Sequence, residues 1–268
     1  GIMRRHWFML PILTNRHKIP RTALDKCKDM DLLKQSGVYF LFGTDKFDNA
    51  VVYIGQAGIR KNGKGLLLRI QEPHTTIDYW TEAIMFTTTN NSFGPTEISY
   101  LENRFCNMAL QSGRYSVKNG NDPNPGNITE ETESELEEFV DYAKIVMGAL
   151  GHKVFEPLAP SADSVDNEPV LYLEYGKGKA IGKRTSDGFV ILKGSTINQS
   201  LTKSCPERTV KDRNKYADKI DKNNVLTADL LFSSPSAAAG FIGGASLSGN
   251  ALWKDADGKS LKELINED

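Results

Sequence analysis

Residues 37–55 read GVYFLFGTDKFDNAVVYIG. Two runs in this stretch, VYFLF and AVVYI, are built from β-branched, aromatic and other apolar residues. The seven residues between them, GTDKFDN, are rich in turn formers. Runs of that composition around such a turn read as two strands of a hairpin. Neither run alternates apolar with polar, so each strand needs cover on both faces, as a central strand does. Each strand also carries a tyrosine, Tyr39 and Tyr53, and each motif holds a glycine.

The neighbouring segments supply the cover. GKGLLLRIQ reads as a short helix and AIMFTTT as a third strand, and a short helix is expected near RTALDKCKDMDLLKQ. SFGPTEISYLENRFCNMALQSG opens at Pro95 and closes at Gly113, the punctuation of a long helix. KNGNDPNPGN is a loop. TEETESELEEFVDYAKIVMGALG is a second long helix, acidic in its first turns and stopped by Gly151. The expected fold is α/β (α+β): a small, mostly antiparallel sheet, with Tyr39 and Tyr53 on adjacent central strands and helices on both sides.

A Pro-rich polar stretch, EPLAPSADSVDNEP, then reads as a linker, with a boundary near residues 156–169. Beyond it VLYLEYG, GKAIGKRT and GFVILKG suggest a β-meander. PERTVKDRNKYADKI and SPSAAAGFIG read as helices, and ALWKDADGKSLKEL as a strand, a turn and a closing segment. The reading is a first domain over 1–128, an acidic helix and linker over 129–160, and a smaller α+β domain over 161–268. A chain of 268 residues is long enough for two modest domains.

Charge is uneven. Residues 1–128 carry 16 Lys and Arg against 11 Asp and Glu, a balance of +5, whereas 129–160 carry 2 against 8, a balance of −6. A polyanion could face the first segment, although such a spread is common on solvated surfaces. The three cysteines, Cys27, Cys106 and Cys205, are far apart and form no zinc spacing. Buried thiols in a reduced, cytoplasmic setting are expected. No apolar run approaches a membrane span, and WFMLPILT, broken by Pro11, does not read as a secretory signal.

One carboxylate sits oddly. At about 100° per residue, with Ile98 at zero, Leu101 falls near −60°, Phe105 near −20°, Ala109 near +20°, Glu102 near +40° and Cys106 near +80°. Glu102 thus lies inside the apolar stripe, where a carboxylate is unfavourable unless paired or bound to a metal. The bland alternative is that it reaches out to solvent or pairs with Arg104. Arg69 ends the run Leu66–Leu68 and could take a phosphate in bidentate fashion, or be an ordinary surface arginine. His74, after Pro73, could move a proton; a lone loop histidine usually just faces solvent. Asn119 could bind a phosphate oxygen or orient a catalytic group, or could be a turn residue beside Gly120.

Taken in order, Gly37-Val38-Tyr39, Tyr53-Ile54-Gly55, Arg69, His74, Glu102 and Asn119 resemble the GIY-YIG nuclease superfamily over about residues 20–125. Outside these motifs IPRTAL, the YW after His74 and ALGHKVFEPL resemble a group of prokaryotic GIY-YIG proteins. The first motif reads GVY, the spacer 40–52 is long, Pro73 stands where the family places its histidine or tyrosine, and Gln56 stands where some members carry lysine. The resemblance implies an endonuclease that hydrolyses DNA phosphodiester bonds with one Mg²⁺ or Mn²⁺ held by Glu102. It implies Tyr39 for activating the nucleophile, Tyr53 for supporting the scissile phosphate, Arg69 for stabilising charge on the phosphoryl oxygens, His74 as an assisting base, and Asn119 for holding the site together. Gly55 is expected to let the backbone approach a bulky substrate.

The C-terminal segments GFVILKGSTI and FSSPSAAAGFIGGASLSGNALWKDADGKSL resemble a domain of unknown function found behind GIY-YIG domains, and the restriction/adenine-methylase-associated (RAMA) type. This implies a targeting domain for DNA or a partner, in restriction, repair or defence. Lys203, Arg208, Lys211, Arg213, Lys215, Lys219 and Lys222 could grip phosphates, but interleaved Glu207, Asp212, Asp218 and Asp221 favour a solvated helix. The alternatives are a nucleic-acid-binding module with a degenerate nuclease site, and an adaptor using the acidic helix.

Overall fold

The computed structural model describes residues 19–46, 49–58, 65–72, 79–88, 93–119, 123–158 and 168–266. The chain divides into two compact units, 1–156 and 157–268, each with its own hydrophobic core. Both are mixed α+β.

The first unit is built on a five-stranded sheet. Its strands are β1 (Ile19–Pro20), β2 (Gly37–Thr44), β3 (Ala50–Ala57), β4 (Trp80–Phe86) and β5 (Ser116–Val117), in the order β1-β4-β2-β3-β5. All neighbours are antiparallel except β3 and β5, which run parallel. In the hairpin, Tyr39 stands opposite Gly55 and Leu41 opposite Tyr53. Alternation therefore puts Tyr39 and Tyr53 on one face, diagonal to each other, and Phe40, Ile54 and Gln56 on the other.

Helices cover both faces, which explains why neither strand alternates. Helix α1 (Leu66–Gln71) covers the tyrosine face, with Leu66 against Gly37. Helices α2 (Pro95–Ser112) and α3 (Glu130–Ala149) cover the other. There Phe40 meets Phe105 of α2 edge-on at 5.2 Å, and Phe86 meets Phe139 of α3 at 6.1 Å. Burying each such ring contributes roughly 1.5–3 kcal/mol. Helix α2 starts with Pro95 in its first turn and ends at Gly113 in the left-handed region (φ 66°). Thr129 caps α3, its side chain accepting from the Thr132 N–H, and Glu130, Glu131 and Glu133 favour its positive end.

Two expectations are corrected in this unit. RTALDKCKDMDLLKQ forms two short 3₁₀ helices, Arg21–Cys27 and Asp31–Lys34, because its turns close through i→i+3 bonds such as Leu33 N–H to Met30 O. The third strand begins at Trp80, earlier than its apolar run suggests, because Trp80 pairs with Gly43 beyond a bulge.

The second unit is a four-stranded antiparallel meander, β6 (Leu171–Tyr175), β7 (Gly178–Thr185), β8 (Gly188–Ile191) and β9 (Leu230–Phe232), in that order. Leu171, Leu173, Phe189 and Ile191 share its core with Ala238, Phe241 and Ile242 of α5 (Pro235–Gly243). Helix α4 (Glu207–Lys215) precedes α5; α6 (Gly249–Leu252) and α7 (Leu261–Ile265) follow. ALWKDADGKSLKEL is therefore helical at both ends, not a strand; only Lys254 pairs with β6, opposite Tyr172. Of the candidate phosphate-gripping cations, Arg213 is taken up internally. Its guanidinium donates to the carbonyls of Phe241, Ile242 and Asn198 and stacks on the Phe241 ring. It thereby satisfies the open C-terminal carbonyls of α5. No helix among the described residues is long and apolar enough to cross a membrane.

Candidate active site

Tyr39 is fully buried on the central strand. Its ring lies across Gly55: a Cβ there would stand 2.5 Å from both Cζ and Oη of Tyr39. Gly55 therefore makes room for the Tyr39 ring rather than for a substrate, which corrects the expectation. The Tyr53 ring lies 6.1 Å away, tilted by 34°. The buried Tyr39 hydroxyl makes no hydrogen bond of regular geometry among the described residues. Arg69 and Tyr53 nevertheless stand close enough to bias its ionisation. Burial pushes the Tyr39 phenol well above its ordinary value, Tyr53 adds to this, and the Arg69 guanidinium opposes it.

Arg69 occupies the last turn of α1, and its Nη1 donates to Glu72 Oε2 at 2.7 Å. That bond, ahead of the nearby phenols, holds the guanidinium firmly protonated. Tyr53 is half-buried; burial raises its phenol first, the Glu102 charge second, and Arg69 again opposes. Arg69 is thus a fixed positive charge within electrostatic reach of both phenols.

Glu102 sits on α2 beside the buried Leu101, Phe105 and Cys106. Burial raises its carboxyl above the usual range, while the Gln56 hydrogen bond and Arg69 pull it down. Arg104 is not its partner: Arg104 Nε and Nη2 both donate to Glu137 of α3, at 2.7 and 2.9 Å. Instead Gln56 Nε2 donates to Glu102 Oε2 at 2.9 Å, and the Gln56 amide also meets the Ser99 hydroxyl, one turn earlier on α2. Glu102 Oε1 takes no hydrogen bond among the described residues.

A hard divalent cation fits this donor set. A half-buried carboxylate with one open oxygen favours a positive charge. Mg²⁺ and Mn²⁺ keep several waters and need only one or two carboxylates, so Glu102 is the residue that could hold such an ion.

Asn119 follows β5 and grips β3. Its Nδ2 donates to the Ile54 carbonyl at 2.6 Å, and its Oδ1 accepts from the Ile54 N–H at 3.1 Å. It therefore fixes the backbone between Tyr53 and Gly55 and is no mere turn residue. Tyr53 and Arg69 are electrostatic neighbours of both Tyr39 and Glu102, and Asn119 braces the strand that carries Tyr53. His74 lies outside the described residues. Gln56, met in the sequence only as standing at the lysine position, and Ser99, not singled out there, both join this cluster; the i, i+3 spacing of Ser99 and Glu102 on one helix face was the available cue.

Comparison with known proteins bears on the second unit. No curated protein and no solved structure matches the chain. A family match begins at Leu171, so residues 20–125, which carry the nuclease resemblance, lie outside it. Residues 171–265, from β6 to α7, match a family model described as a domain of unknown function (DUF4357).

Proposed function

We propose that the first unit hydrolyses phosphodiester bonds of DNA with one Mg²⁺ or Mn²⁺ at Glu102, and that the second unit directs it to DNA or to a partner. The observation that carries this reading is the convergence of the buried Tyr39 phenol, Tyr53, Arg69 and Glu102, drawn from β2, β3, α1 and α2.

A cation bound at Glu102 would supply Lewis acidity, lowering the pKa of bound water and offsetting charge on the phosphate. Tyr39 accepts a hydrogen bond from the attacking water. Burial keeps its phenol protonated near neutrality, so deprotonation depends on positive charge nearby, which Arg69 provides in part. Arg69 also faces the negative charge that develops on the phosphoryl oxygens. The Tyr53 hydroxyl donates to a phosphate oxygen, and Asn119 keeps its strand in place.

The test is incubation of the protein with supercoiled, linear and single-stranded DNA, with and without Mg²⁺ or Mn²⁺. Metal-dependent cleavage of any form supports the reading. Binding without cleavage assigns the chain to nucleic-acid-binding modules with a degenerate site.

A further inference from the structure

Glu102 reaches the site from α2, yet the group that fixes its direction comes from β3, 46 residues earlier. Gln56 Nε2 donates to Glu102 Oε2 at 2.9 Å. The Ser99 hydroxyl lies 3.1 Å from Gln56 Nε2 and 3.2 Å from Oε1, and so steadies the amide against α2. The orientation of that amide follows from chemistry. Turning it over would set its carbonyl oxygen against a carboxylate, so the NH₂ end must face Glu102.

We infer that Gln56, steadied by Ser99, is a positioning residue for the metal-binding carboxylate: it holds Oε2 and leaves Oε1 directed to the cation. This rests on the reading of Glu102 as the metal ligand. The choice of side chain follows from charge. Arg69 already supplies the fixed positive charge of the site. A lysine at position 56 would neutralise the carboxylate by a direct ion pair and compete with the cation. A neutral amide orients one oxygen and leaves the full negative charge for the metal. The arrangement also separates two duties on one strand, since Tyr53 faces the tyrosine side of the sheet and Gln56 faces α2.

The experiment is Mn²⁺ binding to the full chain, followed by electron paramagnetic resonance of free Mn²⁺, so that no turnover is needed. The parent, Glu102→Ala, Gln56→Met and Gln56→Lys are compared, with thermal unfolding as a check on the fold. Methionine matches glutamine in length and donates nothing. Groups that orient a metal ligand typically change affinity by 10–100-fold when removed. Gln56→Met should therefore bind Mn²⁺ about tenfold more weakly at unchanged thermal midpoint, and Gln56→Lys at least as weakly. Parent-like affinity in Gln56→Met, with binding lost in Glu102→Ala, overturns this inference and leaves the metal site standing. If Glu102→Ala binds like the parent, or the parent binds no Mn²⁺, the metal-site reading falls and the inference with it. Should Gln56→Met fail to fold, Ser99→Ala decides: a several-fold weakening is expected, and parent-like affinity overturns the proposal.

Discussion

At Glu102 burial and charge conflict. Its folded carboxyl binds a proton more tightly than an unfolded one, whose pKa is about 4.3. A group raised in this way stabilises the fold fully below the unfolded value, and that contribution is lost as pH rises through the folded value. At neutral pH the ionised carboxylate therefore weighs against folding. Glu102→Gln should raise the melting temperature of the first unit at pH 7, by roughly 2–4 °C for each kcal/mol relieved, and the gain should vanish toward pH 4. Melting curves of both proteins across that range check this; an equal gain at pH 4 and pH 7 contradicts it. Mg²⁺ should stabilise the parent and not the variant. Gly55 gives a second prediction at this scale. Gly55→Ala places a methyl 2.5 Å from the Tyr39 ring. Overpacking of this kind costs about 1–3 kcal/mol, so a clear fall in melting temperature is expected. Glu102 was legible in the sequence because one helix wheel shows a carboxylate in an apolar stripe. The role of Gly55 was not, because it depends on which residue the strand register sets opposite it.

The elements most easily read were those whose signals are local. Helix α2 announces itself through Pro95 and Gly113, and α3 through its acidic first turn. What escaped was pairing over distance. β5 has two residues and joins the sheet by lying parallel to β3, and no local pattern encodes that. Asn119 performs its work through this junction, bonding Ile54 across 65 positions. Asn119→Ala removes two hydrogen bonds and leaves the Ile54 N–H and C=O to find others, at about 1–3 kcal/mol. Amide exchange at Ile54 should accelerate in that variant; unchanged protection would show that β3 does not depend on the clamp. The segment after α3 shows the same principle. In GHKVF, His152 stacks on Phe42 at 3.8 Å and reaches Glu82 at 2.8 Å, Val154 is fully buried, and Phe155 packs on Phe40. The short stretch between that helix and the linker thus closes the first core.

At the scale of the molecule, the chain divides into two units, each with its own core. Limited proteolysis is expected to cut between residues 156 and 169 and to release two resistant fragments, since that stretch is rich in Pro and small polar residues. A single fragment spanning it would contradict the division. The central claim concerns the first unit: five side chains spread over 81 positions of sequence, from Tyr39 to Asn119, serve one metal-dependent hydrolysis. The most direct measurement is single-turnover cleavage of DNA by the parent and by Glu102→Ala, with excess protein and saturating Mg²⁺ or Mn²⁺, and folding of both verified by melting. The account predicts cleavage by the parent that requires the metal and is abolished in Glu102→Ala, with DNA affinity retained. Cleavage by Glu102→Ala at the parental rate, or cleavage by the parent that persists after chelation, would contradict it.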